Sequence, residues 1–343
     1  MGALGLMYGA FISDQTENDA VFLLSEERMA RYGDKIFTVN GKVVAPAMQA
    51  EESAEPADLV LVSVKYNDLE SAMDTMRNCV GKDTIILSLL NGITSEEIIA
   101  KRYGAERIVH TVAQGMDAVK IGDDLTYTQM GKLHVGVPQG MDDKNLKAVV
   151  RYFESIGLPY KQEEDIILRM WSKFMLNVGI NQTCMAFETD YAGCLAPGQA
   201  HDTFISAMKE VIRIADAEGV NLTEDAIGEY IEIVRSLKPD SIPSMRQDSL
   251  QKRRTEVDLF AGTVIRIAEK HGISVPANEF LYCRAKEIEA SRGCLARTAD
   301  GSASGLVASI SSMRRTESCA IITASLAYIT FVIMVVVIAE NTA

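Results

Sequence analysis

The rhythm of apolar residues changes near residue 160, and that change constrains the fold more than any other feature of the chain. Before it, short apolar runs at 20–24, 59–64, 84–89 and 108–112 alternate with helix-favouring stretches such as 69–77, as a parallel sheet with crossover helices requires. Asp58 before LVLVSVK and Asp83 before TIILSLLNG mark strand entries. After it, strand signals vanish. Stretches 166–182, 203–219, 224–237, a long run around 250–271, and 277–290 read as helices, several closed by glycine. The chain is therefore expected to fold as an α/β domain over residues 1–160 followed by an all-α domain over 161–292.

The chain opens on Gly2-Ala3-Leu4-Gly5, the spacing of the last two glycines of GxGxxG, where backbone approaches a pyrophosphate at a helix N-terminus. This points to a Rossmann-like dinucleotide-binding domain. The strand and first glycine that precede such a turn would lie before Met1, so the first strand is missing from the sequence as it stands; a start assigned too late is the expected reason, because a domain's marginal stability of about 5–15 kcal/mol would not absorb the loss of a central strand, and a sheet that truly lacks it is the alternative. At the end of the second strand of such a sheet, an acid accepts from the ribose 2′-OH and an Arg pairs with a 2′-phosphate. That position falls at about Glu26, with Arg28 two residues on, and leaves NADH and NADPH both open. Lys65 and Asn91 follow apolar runs, at strand ends where open parallel sheets bind ligands. A solvated lysine and a plain Asn-Gly turn have the same appearance.

Residues 318–339 (SCAIITASLAYITFVIMVVVIA) carry no charge, and as a helix they would cross about 30 Å of hydrocarbon. They predict a C-terminal transmembrane helix, preceded by a linker at 293–317 rich in Ser, Ala, Gly and Arg. Arg314 and Arg315 before it and Glu340 after it would leave the bulk of the protein in the cytoplasm. A buried core helix or a frameshifted extension are the other readings. No basic-then-apolar signal peptide opens the chain.

The net charge of −13, from 34 Lys+Arg against 47 Asp+Glu without a basic run, argues against nucleic-acid binding, which needs clustered positive charge. A small anionic substrate at a local basic site remains compatible with it. Cys79, Cys184, Cys194, Cys283, Cys294 and Cys319 form no CxxC pair and have no clustered His, so neither a zinc site nor a disulfide framework is expected.

The segment ILRMWSKFMLNVGINQT places Lys173, Asn177 and Asn181 four residues apart, on one face of an otherwise apolar helix. Buried polar groups need partners, and a ligand cleft supplies them; a solvent-facing stripe is the bland alternative. A second polar cluster runs through Ser244-Met-Arg-Gln-Asp248 and Arg254-Thr-Glu256-Val-Asp258, the latter expected to open a helix. There Glu256 could be no more than a first-turn acid favoured by the helix dipole.

Taken in order from Gly2 to about Glu289, GALG, LVLVSVK, ILSLLNG, WSKFMLNVGIN, SMRQD, RRTEVDLFAGTVIRIAEKHGISVPANE and LYCRAKEIEA resemble the ketopantoate reductase family. The resemblance implies NADPH-dependent reduction of 2-dehydropantoate to pantoate, with the active site between a Rossmann domain and a helical domain. It implies that Lys173 is the catalytic lysine and that Glu256 orients it or accepts from a substrate hydroxyl. Asn177, Asn181 and Ser244 would bind substrate, and Gly2, Ala3, Leu4, Gly5, Lys65 and Asn91 the cofactor; no metal is implied. Three residues depart from the family pattern: Glu26 where an Arg usually meets the 2′-phosphate, Gln182 where Pro usually follows the second Asn, and Tyr191 where an Asn often contacts substrate.

Three functions follow as expectations: 2-dehydropantoate reduction, reduction of another branched 2-oxo acid with NADH or NADPH, and a non-catalytic, membrane-tethered nucleotide-binding protein. Expected partners are a small 2-oxo acid, the lipid bilayer through the tail, and a second copy of the chain in a homodimer.

Overall fold

Burial on both faces is what the run LVLV at residues 59–62 demands, and a five-stranded sheet provides it. The computed structural model describes residues 1–16, 20–298 and 335–338. The strands are β1 (Ala20–Leu24), β2 (Phe37–Val39), β3 (Lys42–Val44), β4 (Ala47–Ala50), β5 (Leu59–Val62), β6 (Ile85–Ser88), β7 (His110–Met116), β8 (Val119–Ile121), β9 (Asp124–Thr126), β10 (Met130–Gly136), β11 (Tyr160–Gln162) and β12 (Val335–Ile338). The main sheet has the order β4-β1-β12-β5-β6, with a three-stranded β11-β10-β7 unit and a small β3-β2-β9-β8 sheet beside it.

Alternation along β5 divides the core of this domain. Leu59 and Leu61 join Leu6, Met7, Tyr8 and Ile12 of helix α1 (Ala3–Gln15) on one face. Val60 and Val62 join Leu69, Ala72 and Met73 of α3 (Leu69–Thr75) on the other. The α1–β1 contact is close: a Cβ on Gly9 would sit 2.2 Å from the Phe22 ring.

The expected transmembrane helix is overturned. Four of its residues, Val335–Ile338, form β12 in the centre of the main sheet, and no helix among the described residues is long and apolar enough to cross a membrane. Residues 318–334 and 339 lie outside the described residues. The slot expected to be empty of its first strand is therefore occupied. β12 runs antiparallel to both neighbours, with Val336 opposite Phe22 and Leu61, whereas β1 pairs with β4 and β5 with β6 in parallel. An uncharged β-branched run suits a sheet centre as well as it suits a bilayer, so hydropathy alone does not distinguish them. The bilayer drops out of the expected partners. The linker reading also shifts, because helix α12 (Pro276–Thr298) runs through 293–298, while 299–317 lie outside the described residues.

Between residues 163 and 298 the regular elements are helical, built around α6 (Ile166–Ala186). Asp165 caps it by accepting from Leu168 N at 2.9 Å. Phe174, Met175, Val178 and Met185 enter a core shared with α8 (Gln199–Ala217), α11 (Ala261–His271) and α12. At Gly179 an added Cβ would meet Met208 and Phe204 of α8 at 2.7 and 2.8 Å, so the two helices cross closely. Of the long helix expected around 250–271 only the second half forms, as α11; α10 (Ser244–Leu250) precedes it, and residues 251–260 between them are turn-rich.

A proline has no N–H for a central ladder. Replacing Val336 by Pro is expected to lower stability by about 1–3 kcal/mol, seen as a fall in Tm of about 2–10 °C. A Tm equal to wild type would contradict the placement of β12.

Candidate active site

Lys173 leaves α6 toward the carbon-terminal edge of the main sheet because the other faces of the helix are taken by the apolar core. Its Nζ donates to Asn91 Oδ1 at 3.0 Å, just past β6, and to the Ala113 carbonyl of β7 at 2.7 Å. Asn91 passes the link on, donating through Nδ2 to Glu256 Oε2 at 3.3 Å. Glu256 is buried and lies 3.8 Å from Lys65 Nζ, which in turn donates to the buried Asp248 of α10 at 2.8 Å. Arg253 Nε holds the other oxygen of Asp248 at 2.8 Å. Lys65, Asn91, Lys173 and Glu256, predicted from distant parts of the sequence, thus share one network.

The two lysines are set differently. Burial drives the Lys173 ammonium down to about 8, helped by Arg169 and opposed by Glu256 and Glu96. Lys65 also meets a burial penalty, but Glu256 and Asp248 outweigh it and raise its pKa above the ordinary value. Lys65 stays a fixed positive charge at neutral pH, and Lys173 is poised to give up a proton.

Farther along α6, Asn181 is braced by protein. Its Oδ1 accepts from Ser244 Oγ at 3.3 Å and from Met245 N at 3.2 Å, while its Nδ2 donates to Asn177 Oδ1 at 3.3 Å. Asn177 Nδ2 is buried without a partner among the described residues. That unmatched donor, one turn from Lys173, is what a cleft awaiting a polar ligand leaves behind. The polar face is therefore buried, and the solvent-stripe alternative falls.

Gly2 caps α1 in an extended conformation with no side-chain cap, so the first N–H groups around Gly2, Ala3, Leu4 and Gly5 are free of one. A Cβ on Gly2 would lie 3.9 Å from the Ser63 carbonyl, which places this turn at the end of β5, two residues before Lys65. The uncapped turn and the Asn177 amide are donor sets that fit a dinucleotide phosphate and a polar ligand. Glu26 opens helix α2 (Glu26–Tyr32) exposed to solvent, and Arg28 is half-buried in electrostatic contact with Asp68. Tyr191 opens the short helix α7 (Tyr191–Leu195), and burial pushes its hydroxyl up to about 12.

One reading of the sequence needs revision, and one departure from the family pattern finds its role. Glu256 precedes α11 by five residues and is not a first-turn acid. Gln182 is buried and structural: Oε1 accepts from Ala261 N at 2.8 Å, and Nε2 donates to the Val178 carbonyl at 2.8 Å and Asn278 Oδ1 at 3.3 Å. Sequence reasoning missed the Ala113 carbonyl, which no residue type announces. It also passed over Glu96, whose place in a Thr-Ser-Glu-Glu helix start looks like ordinary capping. Cys184 and Cys194 lie with sulfurs 3.3 Å apart as free thiols, and among the described residues no group of His, Cys, Asp and Glu could hold a metal ion.

A sheet with a glycine-led helix start at its ligand edge, met by a helical domain that presents a half-buried lysine, is the arrangement of a two-domain oxidoreductase. The family model described as "Ketopantoate reductase PanE/ApbA" matches residues 1–140, and "Ketopantoate reductase PanE/ApbA C terminal" matches residues 165–289. The chain belongs to the ketopantoate reductase family. It is 29% identical over 301 residues to 2-dehydropantoate 2-reductase of Streptococcus pyogenes serotype M3, covering 82% of this chain and 92% of that protein. It is 25% identical over 299 residues to the Aquifex aeolicus enzyme of the same name, covering 84% and 95%. Among solved structures, 2-dehydropantoate 2-reductase from Geobacter metallireducens superposes with a TM-score of 0.73 at 26% identity, covering 84% and 97%. A D-mandelate dehydrogenase with NADH and anilino(oxo)acetate shares the fold, with a TM-score of 0.75 at 22% identity, covering 85% and 97%.

Gln182→Ala would strand the Ala261 N–H and the Asn278 Oδ1, each at about 1–3 kcal/mol. The expected outcome in a urea melt is a lower midpoint with unchanged slope; an unshifted midpoint would contradict the structural role.

Proposed function

We propose that the protein reduces 2-dehydropantoate to pantoate, the precursor of pantothenate and coenzyme A, with NADPH as donor and NADH as the alternative that Glu26 raises. One observation carries this reading: the Lys173 ammonium, lowered to about 8, is held by two acceptors and has one N–H unclaimed among the described residues. Residues 1–160 are the dinucleotide-binding unit and 161–292 the catalytic unit.

A bound nicotinamide dinucleotide supplies hydride to the carbonyl carbon. Charge then develops on the carbonyl oxygen, where Lys173 stabilises it and transfers a proton from Nζ. Asn91 and the Ala113 carbonyl fix the direction of that ammonium. Glu256 keeps it protonated through charge and accepts from a substrate hydroxyl. Asn177 offers its free amide to the substrate, Asn181 and Ser244 hold Asn177 in place, and Lys65 anchors the cofactor side.

Because the acid form of Lys173 is required, kcat/KM for reduction is expected to be high below the Lys173 pKa and to fall as pH rises through about 8. Lys173→Ala should lower kcat by about 10²–10⁴-fold while NADPH still quenches the fluorescence of Trp171, two residues away. Wild-type turnover by this variant would overturn the assignment. In a side-by-side panel, 2-dehydropantoate should give the highest kcat/KM of the branched 2-oxo acids; a different winner would replace the substrate and leave the lysine chemistry standing.

A further inference from the structure

Glu96 is a buried carboxyl that the mechanism above does not use. It sits in the first turn of α4 (Ser95–Tyr103) and is 3% exposed. Ser88 Oγ donates to Ser95 Oγ at 2.8 Å, and Ser95 Oγ donates to Glu96 Oε2 at 2.8 Å. The backbone N–H groups of Glu96 itself and of Thr111 also bond to the carboxylate. Through Ser95, the Ser88 behind it and Thr111, the carboxyl is tied to α4, β6 and β7.

The register of β7 shows what this arrangement faces. On β10, Leu133 N and Val135 O bond toward β11, so the intervening His134 turns to β7 and its opposite residue, Val112, turns back to β10. Residues 109, 111 and 113 consequently point off the other edge of β7. Val109 N uses that edge to reach Ile86 O of β6 at 3.1 Å, Thr111 N uses it to reach Glu96, and the Ala113 carbonyl uses it to hold Lys173. Glu96 and Lys173 thus occupy neighbouring rungs of one strand edge, two residues or about 7 Å apart along the chain. The Ser88–Ser95 bond also brackets residues 89–94, the loop that carries Asn91, the second acceptor of Lys173.

We propose that Glu96 is a positioning residue of this active site, fixing both acceptors of Lys173 and facing that ammonium with a buried negative charge. The proposal rests on the reading of Lys173 as the proton donor. The charged groups that face Lys173 are Glu256, Arg169 and Glu96; Lys173 is the one that faces Glu96. Burial pushes Glu96 up to about 7, against the pull of its donors and of Lys173. Its charge is accordingly present above that pH and lost below it, so around the Lys173 midpoint of about 8 the carboxylate is charged and favours the protonated lysine.

Glu96→Gln keeps the size of the side chain and removes its charge. The basic limb of the kcat/KM profile is expected to move to lower pH by about half a unit. Ser95→Ala, a milder change that strips one donor from the carboxylate and so holds Glu96 neutral to higher pH, should move the limb in the same direction by less. A limb that stays in place in both variants, with kcat merely reduced, would overturn the proposal and leave Glu96 a packing residue. A second readout needs no substrate: the pH dependence of Lys173 acetylation by acetic anhydride, followed by mass spectrometry. Its midpoint should fall in Glu96→Gln relative to wild type, whichever 2-oxo acid the enzyme reduces, and an unmoved midpoint contradicts the coupling. Failure of the lysine mechanism itself would show separately, as an active Lys173→Ala enzyme.

Discussion

A half-buried lysine ammonium, reaching from a helix of the second half of the chain to groups at the edge of the sheet, organises the site. Desolvating such a charge is unfavourable by several kcal/mol in the absence of partners. The Asn91 side chain and the Ala113 carbonyl provide them from the loop after β6 and from β7, and Glu256 and Glu96 add charge from the α10–α11 stretch and from α4. Each partner belongs to a different element, so the ammonium ties the two halves of the chain to each other. The same tie leaves the lysine at a pKa where a proton can be held and released near neutrality.

The division of labour along α6 follows from helical spacing. Lys173 reaches the sheet edge, Asn177 keeps a free donor, and Asn181 is consumed in bracing the start of α10. Gln182, one position on, falls on the face turned to α11 and α12 and ties α6 to the N-terminus of α11. Chemistry and architecture therefore alternate on one helix within ten residues. The departure from the family pattern at Gln182 is a change in helix packing that leaves Lys173, Asn177 and Asn181 on their face.

Much of this was legible in the sequence because it is local. Four-residue spacing put Lys173, Asn177 and Asn181 on one face, and apolar runs located β1, β5, β6 and the start of β7. What was not legible depends on distant partners or on backbone. The hairpin strands around residues 37–44 and 119–126 are short and partly exposed, with no alternating apolar signal. The Ala113 carbonyl has no residue signature, and Glu96 has the look of a capping residue. The uncharged tail reads as a membrane span for a physical reason: bilayer and sheet centre select for the same residues, and only the place between β1 and β5 distinguishes them.

The central claim, a lysine whose pKa is lowered by burial yet held near neutrality by carboxylates, is open to direct measurement. Heteronuclear NMR of lysine labelled at the side chain, with Lys173→Ala used to assign the resonance, gives the titration midpoint of Nζ in the free protein. The account predicts a midpoint of about 8 for Lys173. A midpoint at the ordinary lysine value of about 10.4 would contradict it, because burial would then leave no net mark on the ammonium.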